Sequence, residues 1–389
     1  MKVFALIQAR MNSSRLPGKA LLPILNKPMV QWQIERLQNS KKISTIALLT
    51  SNTSSDDPLI SFCDKLKIQN YRGSENDVLA RFYNAFLAFS LQNERMNCLI
   101  IRLTGDCPLI DPFLIDEAID LFISKLSHGC RYFGYDTNLP DGMDFEIFTW
   151  GALKEAHENS SDPFEREHVT PFMWRQPERF KVERFKKTNI TPQLRFSVDY
   201  HEDLELVEEI LKYQEKSGLF LGVQEISDLF EKNPKLKELN EKIIKNEGLI
   251  QSALATQKTP AFGIALPKGA LPEEDFLKWA TKMGIHTWIA SKTDLPQLVT
   301  FFNKQPPLIT PKIWNITDPP KCWVIFKKEE HLYLGRLAAL IQDSSLQGIF
   351  LEVSDRIDLA QLLTFICHTR FVKQDPPVKL TLKKHSKEG

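Results

Sequence analysis

Gln8-Ala9-Arg10-Met11-Asn12-Ser13-Ser14-Arg15-Leu16-Pro17-Gly18-Lys19 follows the apolar run 3–7, and this succession decides the fold. The run reads as a short buried strand. Downstream, Pro28 opens an amphipathic helix. The stretch between them reads as a loop with two arginines, a lysine, two serines and a glycine. Hydroxyls and backbone N–H groups donate to phosphate oxygens, and the cations offset their charge. Gly18 lets the chain turn, and Pro17 stiffens the entry. The loop is not a Walker A motif: Ala20 follows Gly18-Lys19, and Ser13 stands where the first glycine should be. A G-x-G-x-x-G fingerprint is also absent. Charge alone leaves a basic surface loop and a phosphate site evenly matched. Position after the first strand of an α/β pattern favours the ligand site.

The bulk properties narrow the classes. The chain has 389 residues, enough for two domains or one large one. Lys+Arg is 50 against Asp+Glu 49, so nothing global favours nucleic acid or a membrane surface. No apolar run reaches membrane-spanning length, and Met1-Lys2-Val3 lacks a signal-peptide layout, so the expected location is cytoplasmic. The six cysteines form no C-x-x-C pair and read as buried free thiols.

Strand and helix patterns then alternate. Strands are expected at 43–50, 68–71 and 97–103, and helices from Asp56-Asp57-Pro58 to 66, over 76–89, and from Asp111-Pro112 to 126. This order predicts an α/β fold: a mainly parallel sheet with helices on both faces. Strands at 131–135, 144–148, 180–185 and 194–198 follow, with helices at 150–158, 165–174, 202–214 and 233–246. Residues 1–247 form the expected nucleotide-binding domain, 248–260 a polar linker, and 261–389 a second, smaller α/β domain.

Two acids stand just past strands. Asp106, in Thr104-Gly105-Asp106-Cys107-Pro108, could hold Mg²⁺, which prefers oxygen ligands and bridges phosphates; taken alone it reads slightly better as a turn or capping residue. Asp199, in Ser197-Val198-Asp199-Tyr200-His201-Glu202-Asp203-Leu204, has the same form. Glu202 and Asp203 fall in the first turn of the next helix and read as capping groups. Arg72-Gly73-Ser74-Glu75-Asn76-Asp77-Val78-Leu79 is a glycine turn into a helix, with Asn76 or Asp77 as its cap.

The loop 9–19, with Lys27-Pro28-Met29 downstream, resembles the signature of the sugar-acid cytidylyltransferases, especially the spore-coat-polysaccharide F type, and is similar to that of the CMP-Kdo synthetases. The resemblance implies the GT-A-like nucleotide-diphospho-sugar-transferase fold, with CTP and an acidic sugar as partners and room for a homodimer. It places the nucleotide on Ala9, Arg10, Ser13, Ser14, Arg15, Gly18 and Lys19, with weaker candidates at Ser74 and Asp77. It makes Asp106 and Asp199 the ligands of Mg²⁺, and Lys19 and Arg10 catalytic beside them. Gly142-Met143-Asp144-Phe145-Glu146 resembles that type's G-L-D-V-E-V, and Pro163-Phe164-Glu165-Arg166-Glu167-His168-Val169-Thr170-Pro171 its P-[YF]-E-R-E-H-V-T-P. Glu146, Arg166, Glu167 and His168 are therefore the expected acceptor-sugar residues; an intrachain Arg–Glu pair is the bland alternative for Arg166. His201 departs from the proline often found there.

The implied reaction is transfer of CMP from CTP to an acidic sugar, with release of pyrophosphate, for surface polysaccharide synthesis. The rivals are a glycosyltransferase on the same fold, for which no Asp-x-Asp motif stands at a suitable strand end, and a non-catalytic nucleotide-binding scaffold. The segment 261–389 weakly resembles part of an aldo/keto reductase (β/α) barrel, in Phe262-Gly263-Ile264-Ala265, Gly284-Ile285-His286-Thr287 and Gly348-Ile349-Phe350-Leu351-Glu352-Val353-Ser354. The positions that carry reductase chemistry are not kept, so a shortened, non-catalytic domain that binds no NADPH is expected.

Overall fold

The structure, a computed structural model, describes residues 1–243 except Ser14, 136–138, 188–193 and 242, together with the backbone of five strands between 261 and 352. The chain divides into two compact units, Met1–Lys245 and Asn246–Gly389.

The first unit is built on β1 (Lys2–Gln8). Its side chains alternate: Val3, Ala5 and Ile7 join one core layer, Phe4 and Leu6 the other. A strand covered on both faces needs a continuous apolar run, which is why 3–7 carries no polar residue. The ribbon of β2 (Pro23–Ile24) and β3 (Lys27–Pro28) leads into α1 (Met29–Leu37), whose entry is set by the fixed φ of Pro28. Next come β4 (Thr45–Ser51), α2 (Asp57–Leu66) and β5 (Gln69–Gly73). In α3 (Val78–Phe89), the cap Asp77 accepts from Ala80 N–H at 2.9 Å. Phe82 and Phe86 on this helix are fully buried, each stabilising the fold by about 1.5–3 kcal/mol. β6 (Cys98–Thr104) precedes α4 (Pro112–Leu126), where Asp111 caps Phe113 and Leu114 at 2.9 and 3.1 Å.

The chain continues through β7 (Tyr132–Tyr135), β8 (Glu146–Thr149), α5 (Trp150–Asn159), α6 (Pro163–His168), α7 (Pro171–Trp174), α8 (Pro177–Phe180) and β9 (Glu183–Phe185). It ends with α9 (His201–Ser217), α10 (Val223–Lys232) and α11 (Lys235–Glu238). The seven-stranded sheet has the order β5-β4-β1-β6-β8-β7-β9. β5, β4, β1 and β6 run parallel, β8 pairs antiparallel with β6 and β7, and β9 is parallel to β7. The mainly parallel α/β sheet therefore stands. The loops after β1 and β6, its two central strands, open on one edge.

Several local expectations change. The helix expected over 165–174 is two helices, because Val169 takes φ +71° and Pro171 starts a new one. Residues 194–198 form no ladder strand but one bridge, Arg195 to Asp141. Phe196 N–H donates to Asp141 C=O at 2.6 Å, and Val198 N–H to Asp106 C=O at 2.8 Å, so this segment stitches two loops together. α10 was not expected. The helix expected over 233–246 is the single turn α11 as far as the described residues extend. Asp56 does not cap α2 with its side chain, which turns back to the basic loop. The cysteines at 63, 98, 107 and 130 are buried free thiols.

In the second unit, β10 (Ala261–Ala265), β11 (Thr287–Ala290), β12 (Lys312–Asn315), β13 (Trp323–Phe326) and β14 (Gly348–Glu352) form a parallel sheet of order β12-β11-β10-β14-β13. The linker at 248–260 and the helices expected beyond it lie outside the described residues. No helix among the described residues is long and apolar enough to cross a membrane.

Candidate active site

Three segments meet at the carboxyl edge of the central strands. The first is the loop after β1. Met11 anchors it: its carbonyl accepts from Ser13 and Gly18 N–H, both at 2.9 Å, and its N–H donates to Asp56 Oδ1 at 2.8 Å. Gly18 sits at φ +73°, the left-handed turn that delivers Lys19 inward. Asp56 also accepts from Thr50 Oγ1 at 2.8 Å. Burial would raise its pKa, but these bonds to Met11, Ser51 and Thr50 hold the carboxyl below the usual range. Ala9 is buried and its N–H donates to Leu49 C=O at 3.0 Å, Arg10 is exposed, and Ser13 Oγ accepts from Leu16 N–H at 3.3 Å. Ser14 lies outside the described residues.

The second segment is the turn after β6. Gly105 N–H donates to Gln8 C=O at 2.8 Å, and a Cβ on Gly105 would stand 2.8 Å from Ala9 Cβ. Only glycine lets the two loops approach so closely. Asp106 follows. The third segment ends in Asp199, just before α9.

Lys19 joins them. Its Nζ donates to Asp106 Oδ2 at 2.8 Å, Asp199 Oδ1 at 2.7 Å and Val198 C=O at 2.8 Å, which uses all three ammonium protons. Arg15 Nη2 is 2.6 Å from the same Asp199 oxygen. Burial alone would lower the Lys19 pKa, but the two carboxylates raise it above the ordinary lysine value. Burial would raise both acids, yet the same cations hold Asp106 and Asp199 below the usual carboxylate range. From the other side, Arg195 Nη2 donates to Asp199 Oδ2 at 2.8 Å and its Nε to Asp203 Oδ1 at 3.0 Å, while Nη1 pairs with Asp141. Asp203 accepts from Asp199 and Tyr200 N–H at 2.9 and 3.1 Å, so the helix cap and the ion-pair network are one structure. Asp144 is half-buried on the adjoining loop and accepts from Gly142 N–H at 2.8 Å. Burial and Asp141 push its carboxyl up to about 7.

The other expected residues divide. Ser74 is exposed, its Oγ accepting from Asp77 N–H at 3.0 Å. Asp77 uses one oxygen to cap α3 and the other to accept from Arg166 Nε at 2.8 Å. Arg166 further donates to the carbonyls of His157 and Ser160 at 3.1 and 2.9 Å. Each therefore serves the other and the turn between α5 and α6, in an Arg–Asp pair rather than an Arg–Glu one. Glu146 is 6 % exposed, and both its oxygens are engaged: by Arg102 Nη1 at 2.6 Å, by Thr170 Oγ1 at 2.7 Å and by the Tyr132 hydroxyl. It ties β6, β7 and the turn before α7 together. Glu167 is exposed. His168 is largely buried against the Phe164 ring, 4.4 Å between centroids, and burial with Arg102 and Arg175 nearby pushes it down to about 3. After His168, Val169 adopts φ +71°, ψ −54°, and Thr170 N–H donates to His168 C=O at 2.9 Å. That is a γ-turn of the strained hand at a β-branched residue, which costs on the order of 1–3 kcal/mol and collects at functional sites.

Sequence reading missed Asp56, Arg102 and Arg195 in their site roles. For Asp56 and Arg195 nothing local signals the partner. For Arg102 the signal was a charge inside an otherwise apolar strand.

Comparison with known proteins follows the same lines. A family model described as cytidylyltransferase matches residues 4–239. The spore coat polysaccharide biosynthesis protein SpsF of Bacillus subtilis is 31% identical over 245 residues, 60% of this chain and 95% of that protein. The 8-amino-3,8-dideoxy-manno-octulosonate cytidylyltransferase of Shewanella frigidimarina is 38% identical over 122 residues, 31% of this chain and 48% of that enzyme. A solved cytidylyltransferase of Leptospira borgpetersenii superposes with TM-score 0.54 at 32% identity, covering 61% of this chain and 96% of its own. With the family match running from β1 through α11, the chain belongs to the cytidylyltransferase family and is a CTP-dependent nucleotidyltransferase.

Proposed function

We propose that the first unit transfers CMP from CTP to an acidic sugar, in the cytoplasm, in the synthesis of a surface polysaccharide. One observation carries the reading: a cation from the basic loop, Lys19 Nζ, lies within 2.8 Å of two carboxylates, Asp106 in the turn after β6 and Asp199 just before α9. This is an anion-binding loop poised over a pair of oxygen ligands. The donor set suits Mg²⁺, which keeps several waters and takes one or two carboxylates plus substrate phosphates. Among the described residues no set of three or more acidic, His or Cys side chains would hold a metal by protein ligands alone, which fits a cation shared with the nucleotide. Asp106 and Asp199 would hold it, and when bound it would draw charge from the α-phosphate.

The chain's own groups do the rest by position and charge. Lys19, Arg15 and Arg10 would take the triphosphate and offset the charge that grows on the departing pyrophosphate. Arg195 holds Asp199 in place through Asp141 and Asp203. The acceptor would enter beside Asp144 and His168, and its hydroxyl would attack the α-phosphorus. For 261–389 we favour a shortened (β/α)-type domain without chemistry of its own; the five described strands, all parallel with β10 between β11 and β14, support the (β/α) character and fall short of an eight-stranded barrel. Incubation with CTP, Mg²⁺ and a panel of ulosonic and nonulosonic acids, read by pyrophosphate release, tests the function. Release with at least one acid and with no neutral sugar is expected; release with none refutes it.

A further inference from the structure

We propose that Arg102 and His168 form an anion subsite that takes the carboxylate of the sugar acceptor. This rests on the acid-acceptor reading above and narrows it to two nitrogens. Arg102 lies near the end of β6, in the same run that delivers Asp106. Its Nη1 donates to Glu146 Oε2 at 2.6 Å, and Glu146 is itself held by Tyr132 and Thr170. The guanidinium plane is thereby fixed, yet Nε is buried with no hydrogen-bond partner among the described residues. Such an orphan donor is rare in a folded interior and calls for an acceptor from outside the chain.

Thr170 links this arginine to His168. Its hydroxyl reaches Glu146, and its N–H closes the strained turn through Val169 back to the His168 carbonyl at 2.9 Å. His168 Nε2 is likewise buried without a hydrogen-bond partner; the nearest carboxylate oxygen, Glu167 Oε2, stands 3.9 Å away, beyond bonding reach. The guanidiniums of Arg102 and Arg175 lie near the ring, each already paired, Arg102 with Glu146 at 2.6 Å and Arg175 with Asp162 and Glu165 at 2.8 Å each. With the proton of the neutral ring on Nε2, Arg102 Nε and His168 Nε2 are two buried, unpartnered N–H donors, the number that the two oxygens of a carboxylate can take. A neutral hydroxyl could fill one donor but would leave the other unpaired. The turn at Val169 has a purpose on this reading: it aims the imidazole toward the arginine instead of letting α6 continue.

The test uses the full-length protein with CTP, Mg²⁺ and eight- and nine-carbon 2-keto-3-deoxy sugar acids, each beside its C1 carboxamide. Arg102→Lys keeps a charge opposite Glu146 but lacks Nε, and His168→Gln keeps a polar side chain of similar reach. In each variant the acceptor KM should rise about tenfold or more for the acid, the value of one charge-assisted bond, while the KM for CTP stays within about twofold. The wild-type preference for acid over carboxamide should shrink accordingly. Unchanged acceptor KM in both variants, with the wild type turning over the acid, would overturn the subsite and leave the function standing. No turnover of any acid by the wild type would overturn both. A variant whose CTP KM rises in parallel with the acceptor KM would show the pair serving the nucleotide, and would also reject the proposal.

Discussion

Replacing Lys19 with methionine keeps most of the stem and removes the three N–H donors. In the wild type these go to Asp106, Asp199 and the Val198 carbonyl at 2.7–2.8 Å. The loss is unequal between the acids. Asp199 keeps Arg15 at 2.6 Å and Arg195 at 2.8 Å, whereas Asp106 loses the one cation it pairs with among the described residues. Breaking a fully buried pair costs about 3–5 kcal/mol. The Asp106 side chain is 24% exposed, so water recovers part of that, and roughly 1–3 kcal/mol is expected. In a unit of this size each kcal/mol moves the melting temperature by about 2–4 °C, so a fall of roughly 2–12 °C should appear in a thermal melt. The same lysine donates to phosphate in the proposed reaction, and one charge-assisted bond is worth about 1.5–3 kcal/mol, so pyrophosphate release should slow at least about tenfold. A third readout separates structural from functional loss. With the ammonium gone, two carboxylates share one empty position, so Mg²⁺ without nucleotide should stabilise Lys19→Met more than it stabilises the wild type. A variant with the wild-type melting temperature and rate, and no added response to Mg²⁺, would refute the reasoning.

If Asp106 and Asp199 share one cation, Asp106→Asn and Asp199→Asn should each remove most activity, and the double variant should be little slower than either; additive losses, or full activity in EDTA, would contradict the shared site. Gly142→Ala places a Cβ 2.4 Å from Ser197 N and 2.5 Å from Phe196 C at φ +94°, so backbone must move; a loss of about 3 kcal/mol or more is expected by denaturant titration, and a stable, fully active variant would show the 141–197 junction to be soft. His168 has its pKa pushed down to about 3, below the unfolded value, so the unfolded chain binds the extra proton between those limits and stability falls as pH drops through 6.5. The loss from pH 6.5 to 5 is at most roughly 1.6 kcal/mol from this group, and His168→Gln should lessen it; an identical pH slope in the variant would mean the imidazole is not held neutral.

The α/β character of the first unit was legible because it rests on local periodicity. An apolar run such as 3–7 can only be a strand covered on both faces, and the caps Asp77 and Asp111 announce their helices within a few residues. The candidate loop and Asp106 were legible for a related reason: each stands directly after a strand, and in a parallel sheet the strand ends collect on one edge. Elsewhere tertiary structure decided. Val169 lies in a stretch whose pattern reads as continuous helix, and only the packing around Glu146, Thr170 and Pro171 holds it at positive φ. Residues 194–198 look like a strand, yet their backbone groups bond to the Asp106 and Asp141 loops. Glu146, Asp77 and Arg166 looked like ligand groups because charge is visible in a sequence while its partner is not. Asp56, Arg102 and Arg195 escaped notice in their site roles for the same reason. Their partners Met11, Glu146 and Asp141 lie 44 to 54 residues away. Periodicity is a property of neighbours along the chain, whereas an ion pair of that separation exists only once the sheet has brought its strand ends together.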